Sequence, residues 1–293
     1  MKHYIQVVLM TSLGGLIGAA SAGEPVDRQA SVNADPVVRI LNTRGDVEIV
    51  GTGENLVTVT GELDDLAESL IFDADQDRVL IEVKMPKRDV NWGDGSDLRI
   101  RVPRASRVSF EGVSTDLEVR EVQGGAQLRT VSGDIQLRDM SGRLVVNSVS
   151  GDIEIAGSEG RTSVSSISGD LDIKMNGVEL DFETVSGDVD IEMTDITRLT
   201  GRSVSGEVDV NGRLIGKGEI DLNSVSGDIG LQLSEPVNAS LRIKSGIGGD
   251  IRNGLTDESP RDVFPSQQEL VTIVGDGSGT IRVGTVSADV RLK

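Results

Sequence analysis

Val185-Ser186-Gly187-Asp188-Val189-Asp190-Ile191 is the stretch whose reading decides the fold, because its first five residues recur. Close copies begin at Val131, Val149, Ile167 and Val225, and Val204-Ser205-Gly206-Glu207-Val208 differs by one acid. Looser copies begin at Val113, Ile247 and Val286. Steps from 113 to 247 are 18, 18, 18, 18, 19, 21 and 22 residues, and a 39-residue step reaches 286. A fixed period of this size is the mark of a stacked repeat.

Within a copy the apolar residues alternate: Ile135/Leu137, Ile153/Ile155, Leu171/Ile173, Val189/Ile191 and Ile229/Leu231. Period two is a β-strand with one buried face. A second alternating pair follows nine residues on, as in Ala126/Leu128, Leu144/Val146 and Leu180/Phe182. Each unit is therefore strand, turn, strand, turn. One unit cannot bury its own apolar face, but stacked units can. The fold expected is all-β, a single-stranded parallel β-helix or β-solenoid with rungs of about 18 residues. A left-handed hexapeptide helix has similar coils, but its six-residue apolar spacing is not visible.

Ser-Gly-Asp reads as the corner of each rung. Glycine supplies positive φ where the chain turns, and Asp accepts backbone N–H bonds within its own turn. Thr115 and Ala288 replace the glycine in the first and last copies, as expected of end rungs.

Upstream, Val37–Ile40, Val47–Ile49, Val57–Val59, Val79–Val83 and Leu98–Val102 also alternate. Residues 23–110 read as an irregular β part capping the repeat solenoid of 111–293, with 23–293 one continuous domain. Asp64 to Asp77 is acidic and reads as a short helix or loop. Residues 254–267, with Pro260 and Pro265, read as a loop leaving the solenoid.

Residues 1–22 read as a signal peptide: Lys2, an apolar run from Ile5 to Ile17, then Ala20-Ser21-Ala22. Residues 23–293 hold 28 basic against 48 acidic residues, a charge of −20, with no His, Tyr or Cys. Ser-His-Asp and Cys-His catalysis, His/Cys zinc sites and disulfides are thereby excluded. The charge disfavours nucleic acid and anionic membranes. No second apolar stretch is long enough to span a bilayer. The expected address is outside the cytoplasm, in the periplasm or on the cell surface.

Repeated Val-Ser-Gly-Asp-Ile, preceded by Leu98-Arg99-Ile100-Arg101-Val102-Pro103, resembles the bacterial DUF4097-type "putative adhesin" family over most of 37–293. The resemblance implies a β-solenoid envelope or surface protein and brings no catalytic residues.

Three constellations carry candidate chemistry. The acids Asp134, Asp152, Asp170, Asp188 and Asp228 share one repeat position. In register they stack at ~5 Å and repel. Calcium between them is one answer, and turn hydrogen bonding is the other. The serines Ser114, Ser132, Ser150, Ser168, Ser186, Ser205 and Ser226 form a similar column, without a base to activate them. Arg44-Gly45-Asp46 matches an integrin-binding tripeptide but sits in a corner like the rest. Trp92 reads either as an exposed contact or as the cap of a core end.

The expected function is an exported, non-enzymatic structural or adhesive protein. Its partner is a protein or glycan surface, met along one long face. A periplasmic scaffold or sensor for a membrane signalling partner is the alternative, and a polysaccharide-active β-helix enzyme, working with carboxylates alone, stands behind it. Ligand and oligomeric state are not readable.

Overall fold

The computed structural model describes residues 23–86, 95–263 and 266–293. The proposed signal peptide and Trp92 lie outside them. Every regular element among the described residues is a strand. The chain packs as two compact units that divide between Gly133 and Asp134.

The first unit contains β1 (Pro25–Ser31), β2 (Val37–Thr52), β3 (Leu56–Glu62), β4 (Ser69–Ala74), β5 (Arg78–Lys84), β6 (Ser96–Pro103), β7 (Arg107–Arg120) and β8 (Ala126–Arg129). The long strands β2 and β7 pair in parallel from Val37↔Arg107 to Val50↔Arg120 and so run through two sheet faces. On one face β6 continues the parallel stack beside β2, and β3 and β1 close it antiparallel. On the other, β5 and β8 flank the pair in parallel and β4 closes antiparallel. Ile40, Ile49, Ile81, Ile100, Phe110 and Val119 point inward and are buried. Each such side chain contributes about 1.5–3 kcal/mol through removal from water.

Asp64 to Asp77 is therefore not a helix or simple loop. Ser69-Leu70-Ile71-Phe72 is β-prone, and the open edge of β5 gave it a partner.

The second unit contains β9 (Ile135–Arg138), β10 (Arg143–Asn147), β11 (Ile153–Ser158), β12 (Arg161–Ser166), β13 (Leu171–Met175), β14 (Glu179–Thr184), β15 (Val189–Ser203) and β16 (Val208–Ser224). It continues with β17 (Ile229–Leu233), β18 (Ala239–Ser245), β19 (Ile251–Asn253), β20 (Arg261–Val263), β21 (Gln267–Val274), β22 (Gly279–Thr285) and β23 (Val290–Leu292). It is solenoid-like. Along one face β9, β11, β13, β15, β16 and β17 pair in parallel, with Ile135, Ile153, Leu171, Val189, Val208 and Ile229 in one register column. Along the other β10, β12, β14, β15 and β16 do the same, with Leu144, Thr162, Leu180, Leu199 and Ile220 aligned. Both columns are buried. Aliphatic residues suit this interior because one layer must repeat on the next at strand spacing.

The copy at 286–290 is not an end rung. β22 lies between β16 and β18, and β23 lies between β17 and β19, so the last copy in sequence is internal in space. The copy at 113–117 is internal too: Asp116 is in register with Asp46, and Asp46 with Asp97. Nor is 254–267 wholly a loop, because β20 pairs antiparallel with β21. β21 in turn lines the outer edge of β18 antiparallel.

Candidate functional site

The corner phrase of the second unit is built from five positions, and four of them are used by the corner itself. The residue before the Val is a buried hydroxyl. Ser148, Ser166, Thr184 and Ser203 each donate to the carbonyl two residues on, at 3.1–3.3 Å. This closes the turn from inside.

The serine after the Val reaches the neighbouring rung. Ser168 Oγ donates to the Val149 carbonyl at 3.2 Å, Ser186 to Ile167 at 3.3 Å and Ser205 to Val185 at 3.1 Å. The backbone N–H of Ser168 shares that same Val149 carbonyl. These serines are ladder donors.

The glycine is required twice over. Gly187 has φ +116°, and an added Cβ would stand 2.2 Å from the Gly169 carbonyl oxygen. Only a residue without a side chain lets the corners stack this closely.

The acid closes the ladder downward. Asp152 N–H donates to Asp134 Oδ1 at 2.9 Å, Asp170 N–H to Asp152 Oδ1 at 2.8 Å, and Asp188 N–H to Asp170 Oδ1 at 2.8 Å. The acceptor therefore serves the next rung and not its own turn, because register brings that N–H within reach. Asp228 accepts the N–H of Asp289 at Oδ1 and the guanidinium of Arg291 at Oδ2. Like charges stacked at this spacing are offset by these N–H dipoles. Among the described residues no set of three or more acidic side chains converges on one point as a metal would need.

The first unit spends its tripeptide similarly. Arg44 is tied to the buried carboxylate of Asp64, which also accepts the N–H of Leu66 at 2.8 Å. Arg44 holds the Asp64 carboxyl below the ordinary range. Asp46 lies between Asp97 and Asp116, and burial, then Asp116, then Asp97 push its carboxyl up.

The remaining position is the Val. Val149, Ile167, Val185, Val204, Val225, Val286 and Ile247 are 42–62% exposed. The first six are linked corner to corner by backbone bonds such as Ser186 N–H to Ile167 O and Ser287 N–H to Val225 O. They form an aliphatic ladder on the outside of an acidic protein. A groove of about 700 Å³ runs over Ile167, Val185, Val204, Val225 and Val286, with Glu183, Arg202 and Lys244 on its rim. Glu183 and Arg202 pair at 2.6 Å. The corner's hydrogen bonds run through the hydroxyls, the acid and the backbone, and the branched apolar side chain takes no part in them. The sequence carries this strip as the repeated first letter of the phrase, a residue type that reads as core.

The Toastrack DUF4097 family model matches residues 77–182 and 160–293. Among solved structures, a "putative adhesin" from Bacteroides fragilis NCTC 9343 is 13% identical, with 94% of this chain and 100% of that chain covered and a TM-score of 0.46. A "putative adhesin" from Parabacteroides distasonis ATCC 8503 is 11% identical, with 92% and 98% covered and a TM-score of 0.44. A "putative lipid binding protein" from the same organism is 11% identical, with 92% and 98% covered and a TM-score of 0.42. No curated protein matches the chain.

Proposed function

Because this chain belongs to the Toastrack DUF4097 family, we propose that it is an exported, non-enzymatic interaction protein of the adhesin kind, with the aliphatic ladder as its binding strip. The frame is read as a β-solenoid of about 18-residue rungs, the spacing of Ile153 from its register partner Leu171. The observation that carries the reading is the ladder. The hydroxyls at Ser168, Ser186 and Ser205 and the acids at Asp134, Asp152, Asp170 and Asp188 are engaged in holding their corners, while the apolar side chain faces water in rung after rung. A strip of this form gains affinity from many weak contacts in a row, as multivalent binding does. A protein or glycan surface presenting a long apolar edge fits it.

The test is protease treatment of intact cells, with detection of the 23–293 product and a periplasmic control protein. Degradation while the control survives supports the adhesin reading. Protection until the outer membrane is opened overturns it in favour of a periplasmic scaffold.

A further inference from the structure

The order of rungs in the second unit differs from the order of sequence. β16 and β18 on one face, and β17 and β19 on the other, are successive in sequence yet do not pair, because residues 279–292 lie between them. β22 is in register with β16 through Ile220↔Ile281 and with β18 through Leu241↔Ile281. β23 is in register with β17 through Ile229↔Val290 and with β19 through Ile251↔Val290. The slot thus has two walls, each presenting a row of backbone donors and acceptors. Such facing edges are a template for a strand.

The segment matches its slot in charge as well as in backbone. Residues 279–293 hold three basic residues against one acidic, in a chain with 29 against 48. Arg291 reaches Glu207 at 3.0 Å and Asp228 at 2.8 Å, and Arg282 reaches Glu219 at 2.5 Å. Ile281, Val283, Val290 and Leu292 are buried between the walls.

The segment reaches its slot through Gly275–Ser278, a four-residue connector. It crosses the start of β18, where Asp276 N–H meets Asn238 Oδ1 at 3.2 Å and Gly279 N–H meets the Asn238 carbonyl at 2.9 Å. Gly275 and Gly277 have positive φ, so the connector is a turn that can also straighten. The contacts that seat 279–292 exist in any copy of the chain. Only the connector makes the seating intramolecular.

We propose that the slot is an exchange site: residues 279–292 of one copy occupy the slot of a second copy, joining the two by strand exchange. The occupant is the same segment in both, so the interface reproduces every backbone bond of the closed form. No new surface has to be complementary.

The chain has no cysteine, so introduced ones report without background. Asn223 and Gly284 are register partners, and an added Cβ at Gly284 would lie 3.0 Å from Asn223 Oδ1. Two full-length chains, one Asn223→Cys and one Gly284→Cys, are co-expressed and oxidised. The control pair is Asp181→Cys with Gly284→Cys, which lie three strands apart. Exchange predicts a disulfide-linked heterodimer at least ten-fold more abundant than in the control. The double variant Asn223→Cys/Gly284→Cys in a single chain shows that the pair can close. If it closes within chains while the mixed single variants give no more heterodimer than the control, the proposal is overturned. Deleting Asp276, Gly277 and Ser278 leaves one residue between Val274 and Gly279, a reach of about 7 Å against the roughly 10 Å of two strand spacings across β18. A folded dimer by light scattering supports exchange, and a folded monomer overturns it.

Discussion

The carboxylate of Asp170 accepts the backbone N–H of Asp188 at 2.8 Å, across 18 residues of sequence and one strand spacing. One side-chain oxygen therefore replaces a backbone acceptor at the point where the corner interrupts the ladder. Asp170→Ala is expected to cost about 1 kcal/mol, the worth of a partly exposed hydrogen bond, seen as a fall in Tm of about 2–4 °C. Asp170→Asn keeps the acceptor and removes a charge from the column, so its loss is less than half as large. Equal losses in the two variants would place the stabilisation in the charge instead.

The same bonds bear on calcium. With an oxygen of each ladder Asp committed to an N–H, chelator is expected to leave Tm unchanged. A fall of several degrees on chelation, reversed by added calcium, would put the ion between rungs.

Gly187→Ala places a Cβ against the Gly169 carbonyl at a residue with φ +116°. The expected cost is about 2–4 kcal/mol from backbone strain and overpacking. Urea unfolding measures it, as a fall in midpoint with an unchanged slope; an unchanged midpoint would contradict the strain.

Asp46 carries a pH signature. Its carboxyl is raised by burial, Asp116 and Asp97, so the folded state binds this proton more tightly than the unfolded chain. Ionised Asp46 therefore costs stability at neutral pH, and the cost fades as pH falls through the raised value. Asp46 is exposed, so solvent screening keeps the effect small, and Asp46→Asn is expected to raise Tm at pH 7 by about 1 °C. The gain should shrink toward zero as pH approaches ~4, the ordinary Asp range. A gain that stays constant across this window would contradict the assignment.

The ladder is tested by Ile167→Thr, Val185→Thr and Val204→Thr together. Threonine keeps β-branching and the corner backbone, so Tm should hold within about 2 °C. Beads coated with the 23–293 protein should lose most of their adherence to surfaces that the parent binds. Full adherence by the triple variant would move the binding strip elsewhere.

Alternation made the strands legible, and with them both buried columns, because period two has one structural meaning in a chain this poor in helical pattern. Repetition made the corners legible, since Gly187 and its counterparts answer to a local turn. Three things were not legible. Asp170 bonds to the next rung, which depends on register and not on local sequence. Ser69–Ala74 became a strand only because the edge of β5 was there to receive it. The place of Val286–Val290 between two earlier copies follows from the path of 234–278, and identical phrases carry no label of stacking order. At the site, attention to acids and hydroxyls hid the Val ladder, since polar residues announce chemistry and a repeated Val resembles core.

The interleaved rung also sets a clock on synthesis. Until residue 292 has left the ribosome or an export pore, β16 and β17 on one side and β18 and β19 on the other face an empty gap. A product interrupted before residue 279 keeps open strand edges on β16, β17, β18 and β19 and leaves their aliphatic side chains uncovered, so it is exposed to pairing with any other strand.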